Sequence, residues 1–165
     1  MALEIERRFL VKNDDWKEFI TKKICIEQGY LSYKLDDWII RIRFNGVNFK
    51  IALKKHIENF TNFEFEYLIP NSDGEKIMSN LRNTIKKDRF FLEVEQKQWI
   101  IDSFKEKNFP LQVAEIELSK EEEAFKLPKF VSKEITGIHN LSNFSLTSYP
   151  LSKWNNDDLR ILEKS

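Results

Sequence analysis

Residues 3–11 read LEIERRFLV, and the alternation within this stretch decides how the rest of the chain is understood. In an extended chain successive side chains point to opposite faces, so Glu4, Glu6 and Arg8 project together while Ile5, Arg7 and Phe9 take the other side. Neighbouring carboxylates repel unless water, cations or a metal offset them. A single strand of this kind reads as a solvated face. A recurrence of the pattern requires another explanation.

The pattern recurs along the chain. In WIIRIRFNG, Arg41 and Arg43 share one face and Ile40, Ile42 and Phe44 the other; a Gly-containing turn then leads to NFKIALKK, where Lys50 and Lys54 oppose Phe49, Ile51 and Leu53. Glu64 and Glu66 alternate with Phe63, Phe65 and Tyr67. In KKDRFFLEVEQ, Lys87, Arg89, Glu93 and Glu95 oppose Phe90, Leu92 and Val94. QWIIDSF brings Asp102, and LQVAEIEL places Glu115 and Glu117 opposite Ala114, Ile116 and Leu118. The solvated face of an ordinary sandwich mixes Thr, Ser and Gln with isolated charges. Here the polar positions are predominantly ionised, with same-sign pairs two residues apart. A closed sheet accounts for this if the charged faces point into a wet lumen and the apolar faces point outward under helices.

The 165 residues suit one domain spanning 1–165, with no low-complexity tract and no internal repeat. The 27 basic and 27 acidic residues cancel, which argues against extended nucleic-acid binding through bulk positive charge. One cysteine, Cys25, and two histidines, His56 and His139, exclude an internal disulfide and a cysteine- or histidine-rich metal site, so any metal would have oxygen ligands. No apolar run reaches membrane-spanning length and the first residues carry carboxylates, so a cytoplasmic protein without a membrane partner is expected. Oligomeric state is left open. Helical spacing predicts a first helix in NDDWKEFITKKICIE and a second in DGEKIMSNLRNTIKK, with short helical pieces in SKEEEAFKL and NDDLRILEK. The segment from Thr147 to Ser165, with Tyr149 and Trp154, is expected either to close one end of the tunnel or to pack outside it, the second being favoured.

A lumen lined with Arg and Lys suits a polyanion, and carboxylates in the same lumen suit Mg²⁺ or Mn²⁺ bridging to phosphate. Neither a glycine-rich phosphate loop nor a Ser/His/Asp set is visible, so side chains would have to do the work of backbone cradling. The ordered series EIERRFLV, QGYL, IIRIR, IALK, FEFEY, KKDRF, WIIDSF, AEIEL and KEITG resembles the CYTH domains, also called triphosphate tunnel metalloenzymes. EIERR resembles their signature Glu-x-Glu-x-Lys, and the resemblance covers nearly the whole chain. It implies an α+β fold built on a closed eight-stranded antiparallel tunnel, a divalent metal and a triphosphate-bearing substrate. The pattern is most similar to the compact bacterial members that hydrolyse inorganic tripolyphosphate.

Carried over by position, the resemblance implies Glu4, Glu6 and Glu117 as metal ligands. Arg8, Arg41, Arg43, Lys54, Lys87 and Arg89 would grip the triphosphate, and a carboxylate among Glu64, Glu66 or Glu115 would orient or deprotonate water. Asp102 and Glu134 match supporting acids; for these two and Glu64 an ion-pairing role stands beside the functional one. Lys50, Glu93 and Glu95 read as solvent-exposed. Three departures stand out: Arg8 replaces the signature lysine, Ile100 stands where relatives often have an acid, and Asn140 and Leu141 stand where an Arg-Tyr pair is common, with Asn143 kept. The expected reaction is metal-dependent hydrolysis of a triphosphate, most simply tripolyphosphate or a nucleoside triphosphate. The rivals are a non-catalytic module that holds polyphosphate or a triphosphorylated nucleotide, a class IV-type adenylyl cyclase, and a thiamine triphosphatase.

Overall fold

The computed structural model describes residues 3–32 and 38–163. Nine strands, β1 (Leu3–Val11), β2 (Ile20–Ser32), β3 (Ile39–Phe44), β4 (Phe49–Glu58), β5 (Thr61–Ile69), β6 (Thr84–Val94), β7 (Lys97–Phe104), β8 (Gln112–Glu117) and β9 (Val131–Glu134), share one antiparallel sheet. The neighbour order runs β5-β4-β3-β2-β6-β7-β8-β1, and Leu3–Ile5 of β1 also pairs with Thr61–Phe63 of β5. That last pairing closes β1–β8 into the expected barrel and leaves no free edge in the ring. The ninth strand continues along β1 at Phe9 and Val11.

The two faces of each strand have separate fates. Outward-pointing Phe9, Leu92, Trp99, Ile101, Ala114 and Ile116 are buried under Trp16, Phe125 and Phe130. Each large apolar side chain so buried contributes about 1.5–3 kcal/mol, enough to set the register, since a slip of one residue would turn every charge outward. The cover on this side is one short 3₁₀ turn carrying Trp16 and irregular chain carrying Phe125 and Phe130, where longer helices were expected. Helix α1 (Asn71–Ser79) lies instead against β3 and β4, where Gly74 rests on the Phe49 ring so closely that a Cβ would stand 2.1 Å from a ring carbon.

Several helical expectations give way to strands. In the first, only Asp15–Phe19 turns, as a 3₁₀ helix that packs Trp16 on Phe90 at 4.9 Å, and β2 follows at once. Pairing with β6 from Ile20 to Gly29 outweighs the local helical spacing. The second helix stops at Ser79, capped by Asn80, whose side-chain amide donates to the Lys76 carbonyl at 2.7 Å, and β6 begins at Thr84. SKEEEAFKL forms no helix: Glu123 accepts from the Ser119 backbone N and hydroxyl at 2.6 Å each, and Phe125 turns onto Trp99. NDDLRILEK does turn, as α3 (Asn156–Leu159) and a 3₁₀ turn at Arg160–Leu162; Lys164 lies outside the described residues.

The inward rows are ionised in the middle of the barrel and apolar at one end. Leu10 continues the row of Glu6 and Arg8, Ile85 that of Lys87 and Arg89, Phe104 that of Asp102, and Val113 that of Glu115 and Glu117. These four pack with Leu111, Ile135, Leu141, Leu146 and Trp154 into a second core. Of the two placements open to the chain beyond Thr147, the favoured one outside the sheet gives way to closure: Trp154, with Leu146 of α2 (Asn143–Ser148), helps to plug this end of the barrel. Ser165 lies outside the described residues.

Candidate active site

Beyond the plug the barrel encloses a cavity of about 270 Å³. Its lining includes the acids Glu4, Glu6, Glu64, Glu66, Glu115 and Glu117 and the bases Arg41, Arg43, Lys54 and Arg89. Antiparallel pairing explains the meeting of opposite signs: Lys54 stands across from Glu64, Arg89 across from Asp102, and Arg8 across from Glu115. Like charges also face across the ladder, Glu6 opposite Glu117 and Arg43 opposite Lys50.

Arg89 is the most firmly held cation. Its Nε and Nη2 donate to Asp102 at 2.8 and 2.7 Å, and Nη2 also donates to Glu115 at 2.8 Å. Lys87 donates to the same Asp102 and to Asn143 Oδ1 at 3.1 Å. Asp102 is 0% exposed and Lys87 1%. Burial alone would raise the Asp102 carboxyl, but Arg89 and Lys87 hold it far below the usual carboxylate range. Burial pushes Lys87 down to about 8, against the pull of Asp102. Neither Lys87, Asp102 nor Arg8 lines the cavity; they form the layer beneath it. Arg8 donates to Glu115 at 3.2 Å and to the Leu141 carbonyl at 3.0 Å, and one of its terminal nitrogens, Nη2, is buried without a partner.

On the opposite wall Arg41 donates to Glu64 at 2.7 Å and Glu66 at 3.3 Å, while Arg43 lies 3.6 Å from Glu66. The Nε atoms of both arginines are buried with no hydrogen-bond acceptor among the described residues. Burial, reinforced by Arg41 and Arg89, lowers Arg43 to about 10. Glu64 resists burial because Arg41, a bond with Glu4 and Lys54 hold it down to about 2. Lys54 pairs with Glu4 and lies 3.7 Å from Glu64.

The acids assigned to a metal behave differently. Burial raises Glu4 to about 8 despite Lys54, with Glu6 adding repulsion. Glu6 is raised by burial and then by Glu115, and its side chain accepts no hydrogen bond among the described residues, its nearest cation being Arg8 at 3.7 Å. Among the described residues no three His, Cys, Asp or Glu side chains converge as a metal cage.

Other placements depart from the expected set. Glu134 is not in the barrel: β9 lies outside the ring, and Glu134 binds outward-facing Arg7, accepting from its Nε at 2.8 Å. Lys50 is 38% exposed, in keeping with the reading, and also donates to Glu66 at 2.6 Å. Gln28 and Tyr30 stand across from Arg43 and Arg41, with the Gln28 amide donating to the Tyr30 hydroxyl at 2.9 Å. No role was assigned to either, because the helix expected just before them hid the two-residue alternation that runs through Ile26, Gln28 and Tyr30.

A closed antiparallel barrel with ionised inner rows that meet around a cavity defines a tunnel-type domain. The chain is 32% identical over 153 residues to an inorganic triphosphatase of Acetivibrio thermocellus, covering 91% of this chain and 96% of that protein. The crystal structure of the inorganic triphosphatase NE1496 superposes with a TM-score of 0.65 at 26% identity, over 89% of this chain and 95% of the other. A conserved protein of Pyrococcus furiosus shares the fold, with a TM-score of 0.56 at 18% identity over 72% and 80%. No protein-family profile matches the sequence. The chain belongs to the CYTH, or triphosphate tunnel, family.

Proposed function

We propose that this chain hydrolyses a triphosphate, inorganic tripolyphosphate or a nucleoside triphosphate, inside the barrel cavity. The observation that carries the reading is the pair Arg41 and Arg43, each with a buried Nε that lacks an acceptor on the cavity wall. Buried donors are nearly always satisfied, and phosphate oxygens suit guanidinium groups. Lys54 and Arg89 complete the grip on the anion, with Lys87 and Arg8 adding charge from beneath. Phosphoryl transfer needs positioning and charge stabilisation more than covalent chemistry, which is what fixed cations on the cavity wall supply.

Glu64 and Glu115 are committed to arginines, so their part is to aim those cations. Glu66 also accepts from Arg41 and Lys50, but its side chain is 25% exposed against 16% for Glu64 and 4% for Glu115, which makes it the best placed of the three to orient water. Glu4 and Glu6, with Glu117 beside them, suit Mg²⁺ or Mn²⁺. Mg²⁺ is commonly held by one or two carboxylates together with substrate phosphates, so the lack of a three-acid cage fits this use. The strained burial of Glu4 and Glu6 is what a divalent cation would relieve. When bound, the ion would polarise phosphoryl oxygens and neutralise charge on the leaving group. The reading includes a cytoplasmic setting; Cys25 is exposed and unpaired, and among the described residues no helix is long and apolar enough to cross a membrane.

The test is phosphate release from tripolyphosphate, ATP and thiamine triphosphate with Mg²⁺, Mn²⁺ or EDTA, beside a Glu6→Gln control. Release that needs the metal and is lost in the control is expected. Ligand retained uncut with either metal would instead make the barrel a polyphosphate-binding module.

A further inference from the structure

Outside the barrel, at the plugged end, a second cavity of about 220 Å³ is bounded by separate stretches of chain. Arg82 and Lys86 come from the approach to β6 and its start, Lys105 and Lys107 from the bend after β7, and Lys153 from the turn after α2. These five cations face one carboxylate, Glu106. Lys86 pairs with Glu106 at 3.0 Å and Lys105 with Asp88 at 2.7 Å. The side chains of Arg82, Lys107 and Lys153 have no hydrogen-bond or ion-pair partner among the described residues. In a chain whose 27 basic and 27 acidic residues cancel, this is a strong local departure.

The walls are fixed before any ligand arrives. Asn108, 4% exposed, donates to the Leu146 carbonyl at 3.1 Å and accepts from the Leu151 backbone N at 2.9 Å, tying the bend after β7 to the C-terminal segment. Ile85 and Leu146 line this outer cavity and also belong to the plug, so an apolar partition separates it from the barrel interior.

We propose that the outer cavity is a second anion site, non-catalytic, that takes a small oligophosphate such as pyrophosphate or tripolyphosphate. Cations arrive from three sides, so a chain of phosphates reaches more of them than a single phosphate does, and guanidinium and ammonium groups are the usual partners of phosphate oxygens. The site has no cluster of acids, so it needs no metal. It stands independently of hydrolysis in the barrel.

Pyrophosphate is titrated into the full-length protein in EDTA by calorimetry, beside the variants Arg41→Gln and Arg82→Gln/Lys107→Gln/Lys153→Gln. The three substituted side chains have no partners to lose among the described residues, so the fold is kept, as circular dichroism will verify. Two sites are expected in the wild type, one weakened in each variant, by roughly tenfold or more since each charge-assisted bond is worth at least a decade in affinity. The triple variant keeps its rate of tripolyphosphate hydrolysis. A single site abolished by Arg41→Gln, or a second site untouched by the triple variant, overturns the proposal. Binding sensitive to the triple variant in a protein that hydrolyses nothing would sink the barrel reading and leave this one standing.

Discussion

Asp102 clamps Arg89 through two parallel hydrogen bonds, 2.8 Å from Nε and 2.7 Å from Nη2, while the same carboxylate holds Lys87. One buried acid therefore compensates two buried cations. Replacing Asp102 by Ala leaves Lys87 without an acid and Arg89 with Glu115 alone, and removing one partner from a buried ion pair costs about 3–5 kcal/mol. Urea unfolding of Asp102→Ala against wild type measures the loss, and a difference below about 1 kcal/mol would contradict this clamp, since surface pairs are worth that little.

Lys87 makes stability depend on pH. Its folded value of about 8 lies below the 10.5 of a free lysine, so between these two the folded chain binds fewer protons than the unfolded chain. Stability then rises with pH across that window and is flat below it. The wild type should gain stability relative to Lys87→Met as pH climbs from about 8 to 10.5, read as the difference between their urea midpoints. A difference that shrinks over the same range would carry the wrong sign.

Arg8→Lys restores the residue type of the family signature but gives up the guanidinium that reaches both Glu115 and the Leu141 carbonyl. A lysine has one compact head and cannot span the two. Losing a hydrogen bond made by a charged group costs about 1.5–3 kcal/mol, so the melting temperature should fall. An unchanged melting temperature would mean that the Leu141 contact holds nothing in place.

Trp154 is 8% exposed in the plug. Trp154→Ala should cost about 3–5 kcal/mol and admit water to the closed end of the barrel. Faster amide exchange at Ile85 and Val113, measured under conditions where the variant remains folded, checks the second part.

The ionised rows are legible because a strand repeats every two residues and a run such as Glu4-Ile5-Glu6 has no other regular reading. Most of the candidate site follows from those rows: Glu4, Glu6, Arg41, Arg43, Lys54, Glu64, Glu66, Arg89, Glu115 and Glu117 all line one cavity. What escapes depends on long-range pairing. β2 is hidden because Trp16, Phe19, Ile20 and Ile24 also fit a helix, and only β6 decides between the periods. Glu134 looks like an inner acid until β9 is seen to lie outside the ring. The plug is invisible to a reading that follows charge, since Leu10, Ile85, Phe104 and Val113 mark the ends of rows noticed for their ions.

The floor formed by Leu10, Ile85, Phe104 and Val113 also governs traffic. With that end stopped, a guest held in the barrel as proposed would depart by the route it came, and pieces of a divided guest would queue in the order they lie. The fragment nearest the floor would wait for the outer one to go. Outer fragment already free in solution would then reoccupy the doorway and delay its fellow, so under the proposed function accumulating product would slow turnover by obstruction, without having to resemble the substrate.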